Sequence, residues 1–279
     1  MTAARWYGLH TLPNPVSCFI RQRTVMAPHG SSFPFSSPRR LLMRLAALLL
    51  CGTTGILLLD GCTESTPAPP RSIMIFIDMS LSTVKDRDNY KTYMGTVVSK
   101  LNPGDKLTVC KIIDLTIADF TPLYQTEIPR FDFWKDNRTL HQRLVVKIHD
   151  NLIASVDSVL DSRERIEKSE IINSFLICDQ FMRNKGGRKA LILLSDMQEC
   201  STDYNFEKDR ISAEYVDNAI LTLRAKGRMP NLHGVEVWVA GAYAKSTEQY
   251  FAVQGFWNRF LGEADGTLRS YSHALLEFD

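Results

Sequence analysis

Residues 72–82 read "SIMIFIDMSLS". Five consecutive apolar residues, Ile73–Ile77, lead straight into an acid and two hydroxyls, Asp78, Ser80 and Ser82. A short unbroken apolar run is the pattern of a strand covered on both faces, as in a parallel sheet. Polar groups just past the carboxyl end of such a strand lie where open parallel sheets hold their ligands.

The rest of the chain repeats the theme. Apolar positions at helical spacing follow from Tyr90 to Leu101, and "NPGD" at 102–105 stops that helix. Strands are expected at 106–114 and at 118–128, the latter at a sheet edge because it contains Pro122. A long amphipathic helix is marked by Leu140, Leu144, Val145, Ile148, Leu152, Val156 and Val159, and another runs from Ile171 to Met182. "KALILLSD", 189–196, is a second buried strand ending in Asp196. A helix around 211–223, a strand at 234–241, a helix around 250–261 and a closing strand at 270–278 complete the pattern. Strands alternating with helices of this length predict an α/β fold: one doubly wound domain over 72–279, with helices on both faces of a mostly parallel sheet.

The amino-terminal region reads differently. Arg39, Arg40 and Arg44 flank an apolar run, Leu45–Leu59, of about 15 residues, right for a signal-peptide core and short for a membrane-spanning helix. "LDGC", 59–62, resembles the lipobox of bacterial lipoproteins, which implies lipidation of Cys62. Residues 43–61 are therefore expected to be a lipoprotein signal peptide, residues 1–42 a non-native or disordered extension, and the Pro-rich 62–71 a stiff tether. The expected location is the cell envelope, lipid-anchored and extracytoplasmic. Thr63 and Glu64, with no Asp beside Cys62, favour the outer membrane of a Gram-negative cell.

Composition narrows the function. The 279-residue chain has a net charge of +2, but residues 1–61 hold six Arg and one acid, which leaves 27 basic and 30 acidic residues in the body. No basic stripe runs through it, so nucleic acid is not expected as a partner. Three Cys remain in the body, Cys110, Cys178 and Cys200, and no CxxC or paired-His spacing suggests zinc. A phosphatase of the haloacid-dehalogenase type would need an Asp where Ser80 stands. The Gly-x-Ser-x-Gly and Gly-x-x-x-x-Gly-Lys motifs are missing too, so the chain is not expected to be an enzyme. "FDFWKDNR", 131–138, bunches three aromatics and is expected to pack in the core, with a partner-binding patch as the alternative.

If the strands ending in Asp78 and Asp196 are neighbours, both carboxylates face one crevice. With Ser80 and Ser82 they make an all-oxygen set suited to a hard divalent cation. "DMSLS" resembles the Asp-x-Ser-x-Ser motif of von Willebrand factor type A domains, and "LILLSD" the later strand that ends in their second Asp. The resemblance spans about 71–278. It implies a metal-ion-dependent adhesion site that holds Mg²⁺ (or Mn²⁺ or Ca²⁺) and a protein ligand that offers an acidic group. In that family a Thr supplies a third hydroxyl; Ser169 is the matching residue here, with Ser162 as the alternative. The implied metal set is Asp78, Ser80, Ser82, Ser169 and Asp196, with Asp78 at the sheet surface. The competing readings are a metal-independent scaffold of the same fold, in which Asp78 and the serines only cap the next helix, and an accessory subunit to an AAA-type ATPase.

Overall fold

The computed structural model describes residues 69–113, 120–162, 166–274 and 278. The expectations for the signal peptide, Cys62 and most of the tether lie outside the described residues.

The described residues form six strands and five α-helices, mostly in alternation, with one 3-10 turn. In chain order they are β1 (Arg71–Asp78), the turn (Leu81–Asp86), α1 (Arg87–Ser99), β2 (Lys106–Ile112), β3 (Tyr124–Glu127), α2 (Arg138–Leu160) and α3 (Ile171–Met182). Then come β4 (Arg188–Leu194), α4 (Ala213–Ala225), β5 (Val235–Ala240), α5 (Thr247–Glu263) and β6 (Thr267–Ser272). The sheet order is β3-β2-β1-β4-β5-β6. Every pairing is parallel except β2 with β3. The order thus runs outward from β1 in both directions, and the reversal falls between β1 and β4.

All eight residues of β1 are buried, because the strand has a neighbour on each side and a layer on each face. Successive side chains alternate between the layers, as strand geometry requires. Met74 and Phe76 join the core with α3, α4 and α5, whereas Ile73, Ile75 and Ile77 join the core with α1 and α2. Cys110, in β2, and Cys178, in α3, are free, buried residues of the first core. Burial pushes the Cys178 thiol up to about 12.

The start of β1 is locked by a buried ion pair. The Arg71 guanidinium donates to Asp105 Oδ2 from Nη2 at 2.7 Å and from Nε at 3.0 Å, and Arg71 N donates to Asp105 Oδ1 at 2.8 Å. Arg71 therefore belongs to the sheet, not to the tether.

Three elements differ from the sequence reading. The closing strand is Thr267–Ser272, not 270–278. Phe278, past its end, packs edge-on against Trp238, ring centroids 5.2 Å apart. The described part of the third strand is only Tyr124–Glu127. And α2 buries only Leu152, Val156 and Leu160, so its amino-terminal half carries Leu140 and Leu144 into solvent. The aromatics just before it are exposed too, Phe133 at 78% and Trp134 at 90%, which overturns their expected place in the core. Among the described residues no helix is long and apolar enough to cross a membrane.

Candidate functional site

β1 ends in Asp78, and β4 runs through Leu194 into Ser195 and Asp196. Because Ile77 pairs with Leu194, the two acids leave adjacent strands at the point where the sheet order reverses.

Asp78 is not on the sheet surface, where it was expected; it is fully buried. Its Oδ1 accepts the Ser80 N–H at 2.9 Å, and its Oδ2 accepts the hydroxyls of Ser169 at 2.7 Å and Ser195 at 2.6 Å. Ser80 and Ser82 join their hydroxyls at 3.0 Å, and Ser82 faces Asp196 across the same crevice closely enough to draw its pKa down. Of the five residues singled out in the sequence, Asp78, Ser80, Ser82 and Ser169 thus form one hydrogen-bonded cluster, and Asp196 lies beside it. Ser169, and not Ser162, reaches Asp78: Ser162 instead offers its carbonyl to Arg87. Backbone bridges set these loops, Leu81 N to Ile166 O and Ser169 to Cys200 in both directions, each at 3.0 Å.

The serines do not act as helix caps. Neither Ser80, which precedes the 3-10 turn, nor Asp86, which precedes α1, makes a side-chain cap hydrogen bond. Thr83 ties the turn back instead, donating to the carbonyls of Asp78 at 2.9 Å and Ser80 at 3.0 Å.

Asp196 is held above its ordinary value of 3.8, at about 7, first by burial and then by the negative charge of Asp78. The Ser82 hydroxyl and the Gln198 N–H oppose that rise. Among the described residues no Lys or Arg pairs with either carboxylate. Nor do three or more His, Cys, Asp or Glu side chains gather anywhere among them as a metal cage. The oxygen set is two carboxylates and hydroxyls. Beside it opens a cleft of about 330 Å³ lined by Ser82, Lys85, Asp196, Gln198, Tyr243 and Gln249. The Lys85 ammonium lies 3.3 Å above the Tyr243 ring, a cation–π contact.

The structure adds residues that sequence reasoning passed over. Ser195 holds Asp78 and also accepts the Met197 N–H at 2.9 Å. Met197 has φ +65°, a strained position for a side chain with a Cβ, and its carbonyl accepts the Trp257 indole N–H at 3.0 Å. Gly241, at the end of β5, has φ +97°, and an added Cβ would lie 2.8 Å from the Tyr90 hydroxyl and 3.2 Å from Ser195 O. That buried Tyr90 hydroxyl has no hydrogen-bond partner among the described residues. Burial, then the charges of Asp78 and Asp196, holds it well above the usual range. Glu199 is buried and pushed up to about 7, chiefly by burial, while accepting the Ile172 N–H at the start of α3. Ser195 could have been found by the logic applied to "DMSLS", since it stands beside a strand-ending Asp. The Cys200 thiol is raised in pKa, mainly by burial, which keeps it protonated.

No family model matches the sequence, and no curated protein does. Solved structures do show a distant likeness. A point mutant of the PilB minor pilin from Streptococcus sanguinis is 10% identical with a TM-score of 0.44, over 75% of this chain and 59% of that one. The open conformation of the pilus adhesin SpaC from Lactobacillus rhamnosus GG is 11% identical with a TM-score of 0.38, over 74% and 28%. The human COPII-coat protein Sec24c is 12% identical with a TM-score of 0.35, over 79% and 32%. The chain thus spans less than two thirds of each of these structures.

Proposed function

We propose that this chain is a lipid-anchored, extracytoplasmic module with a doubly wound fold like that of von Willebrand factor type A domains, and that it binds a protein ligand through a divalent cation. The observation that carries the reading is the cluster of Asp78 and Asp196 with three serine hydroxyls, two buried carboxylates with no basic side chain among the described residues paired to them. Burying two like charges this close is costly unless something positive offsets them.

The donor set fits Mg²⁺, which prefers oxygen ligands and keeps part of its water shell. Ser80 and Ser82 would ligate directly, Ser169 directly or through water, and Asp78 and Asp196 largely through water. The bound ion would supply the positive charge that attracts an acidic group of the partner. Lys85, Lys245 and Glu207 line the cleft beside it, with Lys245 paired to Glu207 at 3.3 Å, so the attraction for an acidic ligand would come from the ion and not from the rim. The role is adhesion or assembly, without catalysis.

One observation favours a second reading. Asp78 already accepts three hydrogen bonds, so the cluster can stand as a metal-free scaffold. Calorimetric titration with Mg²⁺ and Mn²⁺ separates the two. The metal reading expects saturable binding by wild type and none by Asp196→Asn, and a pull-down that depends on the ion. Absence of binding in wild type leaves the scaffold.

A further inference from the structure

We propose that the aromatic segment Phe131–Trp134, together with the basic amino-terminal half of α2, docks on the headgroup interface of the bilayer leaflet that holds the anchor; this rests on the lipid-anchor reading of Cys62. Among the described residues, six of the eleven exposed large hydrophobic side chains fall within residues 131–146, with Phe131, Phe133 and Trp134 adjoining on one loop.

The register of the sheet fixes where that patch lies. Glu127 pairs with Lys106, which pairs with Ser72, so β3 ends at the edge of the sheet where β1 begins. Ile128 stays joined to that edge, donating its N–H to Asp105 O at 2.8 Å. The Arg130 guanidinium then lies against Gly104, next to the Asp105 that pairs with Arg71. Phe131, Phe133 and Trp134 follow at once.

Eight residues lie between Cys62 and Arg71, nine steps that, at about 3.1 Å per residue for a Pro-rich spacer, would reach roughly 28 Å. The end of the sheet that bears the aromatics is therefore the one held near the bilayer. Its chemistry matches that place. Trp and Phe suit the headgroup region. Residues 128–149 carry five basic side chains, Arg130, Lys135, Arg138, Arg143 and Lys147, against two acids, Asp132 and Asp136. Both acids are used within the loop. Asp132 accepts the Trp134 N–H at 3.0 Å, and Asp136 accepts the Asp132 N–H at 2.7 Å. The indole is thus presented on a fixed turn, and docking turns the carboxyl ends of β1 and β4 away from the membrane.

The test uses the processed, full-length protein reconstituted in phosphatidylethanolamine–phosphatidylglycerol vesicles, with and without brominated acyl chains. Tryptophan emission is read as the difference between wild type and Trp134→Phe, and the mass of the Cys62 peptide is measured in the same preparation. The expected result is an acylated Cys62 and a Trp134 component quenched by bromine, with quenching lost in Lys135→Glu/Arg138→Glu. An acylated protein whose Trp134 is equally bright in both vesicles overturns the docking alone. A Trp134 blue shift that follows protein concentration without vesicles also overturns it, in favour of a second copy of the chain. A Cys62 peptide without acyl mass overturns the anchor and the docking with it.

Discussion

Strand β1 lies between two buried acidic sites, and they are balanced by different means. At its start Asp105 meets the Arg71 guanidinium, both almost fully buried. At its end Asp78, with Asp196 close by, meets only hydroxyls and amides. The first arrangement is complete in itself: charge meets charge, and the remaining lone pairs take backbone donors. The second leaves a surplus of negative charge in a crevice that opens to a cleft. A buried ion pair is an ordinary way to fix a strand, whereas an unbalanced pair of carboxylates is a site awaiting something.

The largest effect expected is on the unbalanced end. In the folded, metal-free chain Asp196 and Glu199 hold their protons up to about pH 7, against ordinary values of 3.8 and 4.5. Between those limits these two groups bind more protons in the folded state than in the unfolded one, so their contribution to stability is fullest below pH 4 and falls as pH rises toward 7. Urea unfolding across that window should record a loss of several kcal/mol from these two groups, and Asp196→Asn and Glu199→Gln should each flatten part of the slope. A slope of opposite sign that both substitutions leave unchanged would break the contrast between the two ends.

Arg71→Ala attacks the balanced end. It strands Asp105 without a partner and should cost about 3–5 kcal/mol in urea unfolding, the usual penalty for breaking a buried pair. Mg²⁺ should act on the other end alone. At a hundredfold excess over its dissociation constant it should add about 2.7 kcal/mol to wild type and the same to Arg71→Ala, but nothing to Asp196→Asn. Thermal-shift titration reads all three, and an unequal gain in the first two would show that the ends are coupled. The smallest effect is Ser169→Ala, which deletes one of three donors to Asp78 at about 2 kcal/mol without metal, while Ser169→Thr should keep the contact. Chemical unfolding of both variants checks it.

Much of this was legible in the sequence, and the reasons differ from place to place. Apolar runs covered on both sides made β1 and β4 plain, and their terminal acids gave the cluster. β6 was misread because "TLRSYS" is an edge strand only partly buried, with little alternation, while the apolar "HALLEF" beyond it drew attention. The stripe on α2 announced a helix but not its partner. Residues 152, 156 and 160 lie over the core, while 140 and 144 carry the same row into solvent. Periodicity reports a face, not what covers it. Nor could Asp78 be known as buried, since its burial depends on Ser169 and Ser195 arriving from distant segments.

Those arrivals give the cluster a place in time. Ser195 stands 117 residues from Asp78, and Ser169 stands 91. Contacts so remote in sequence carry a heavy loop-closure cost and slow the folding of chains that depend on them. A nascent or unfolded chain therefore holds its acids and hydroxyls scattered, and the charged crevice comes into being only when β1 and β4 have paired. A ligand that recognises the crevice would then meet finished molecules only. Its grip would lengthen the native lifetime by slowing unfolding, and the speed of folding would stay as it was.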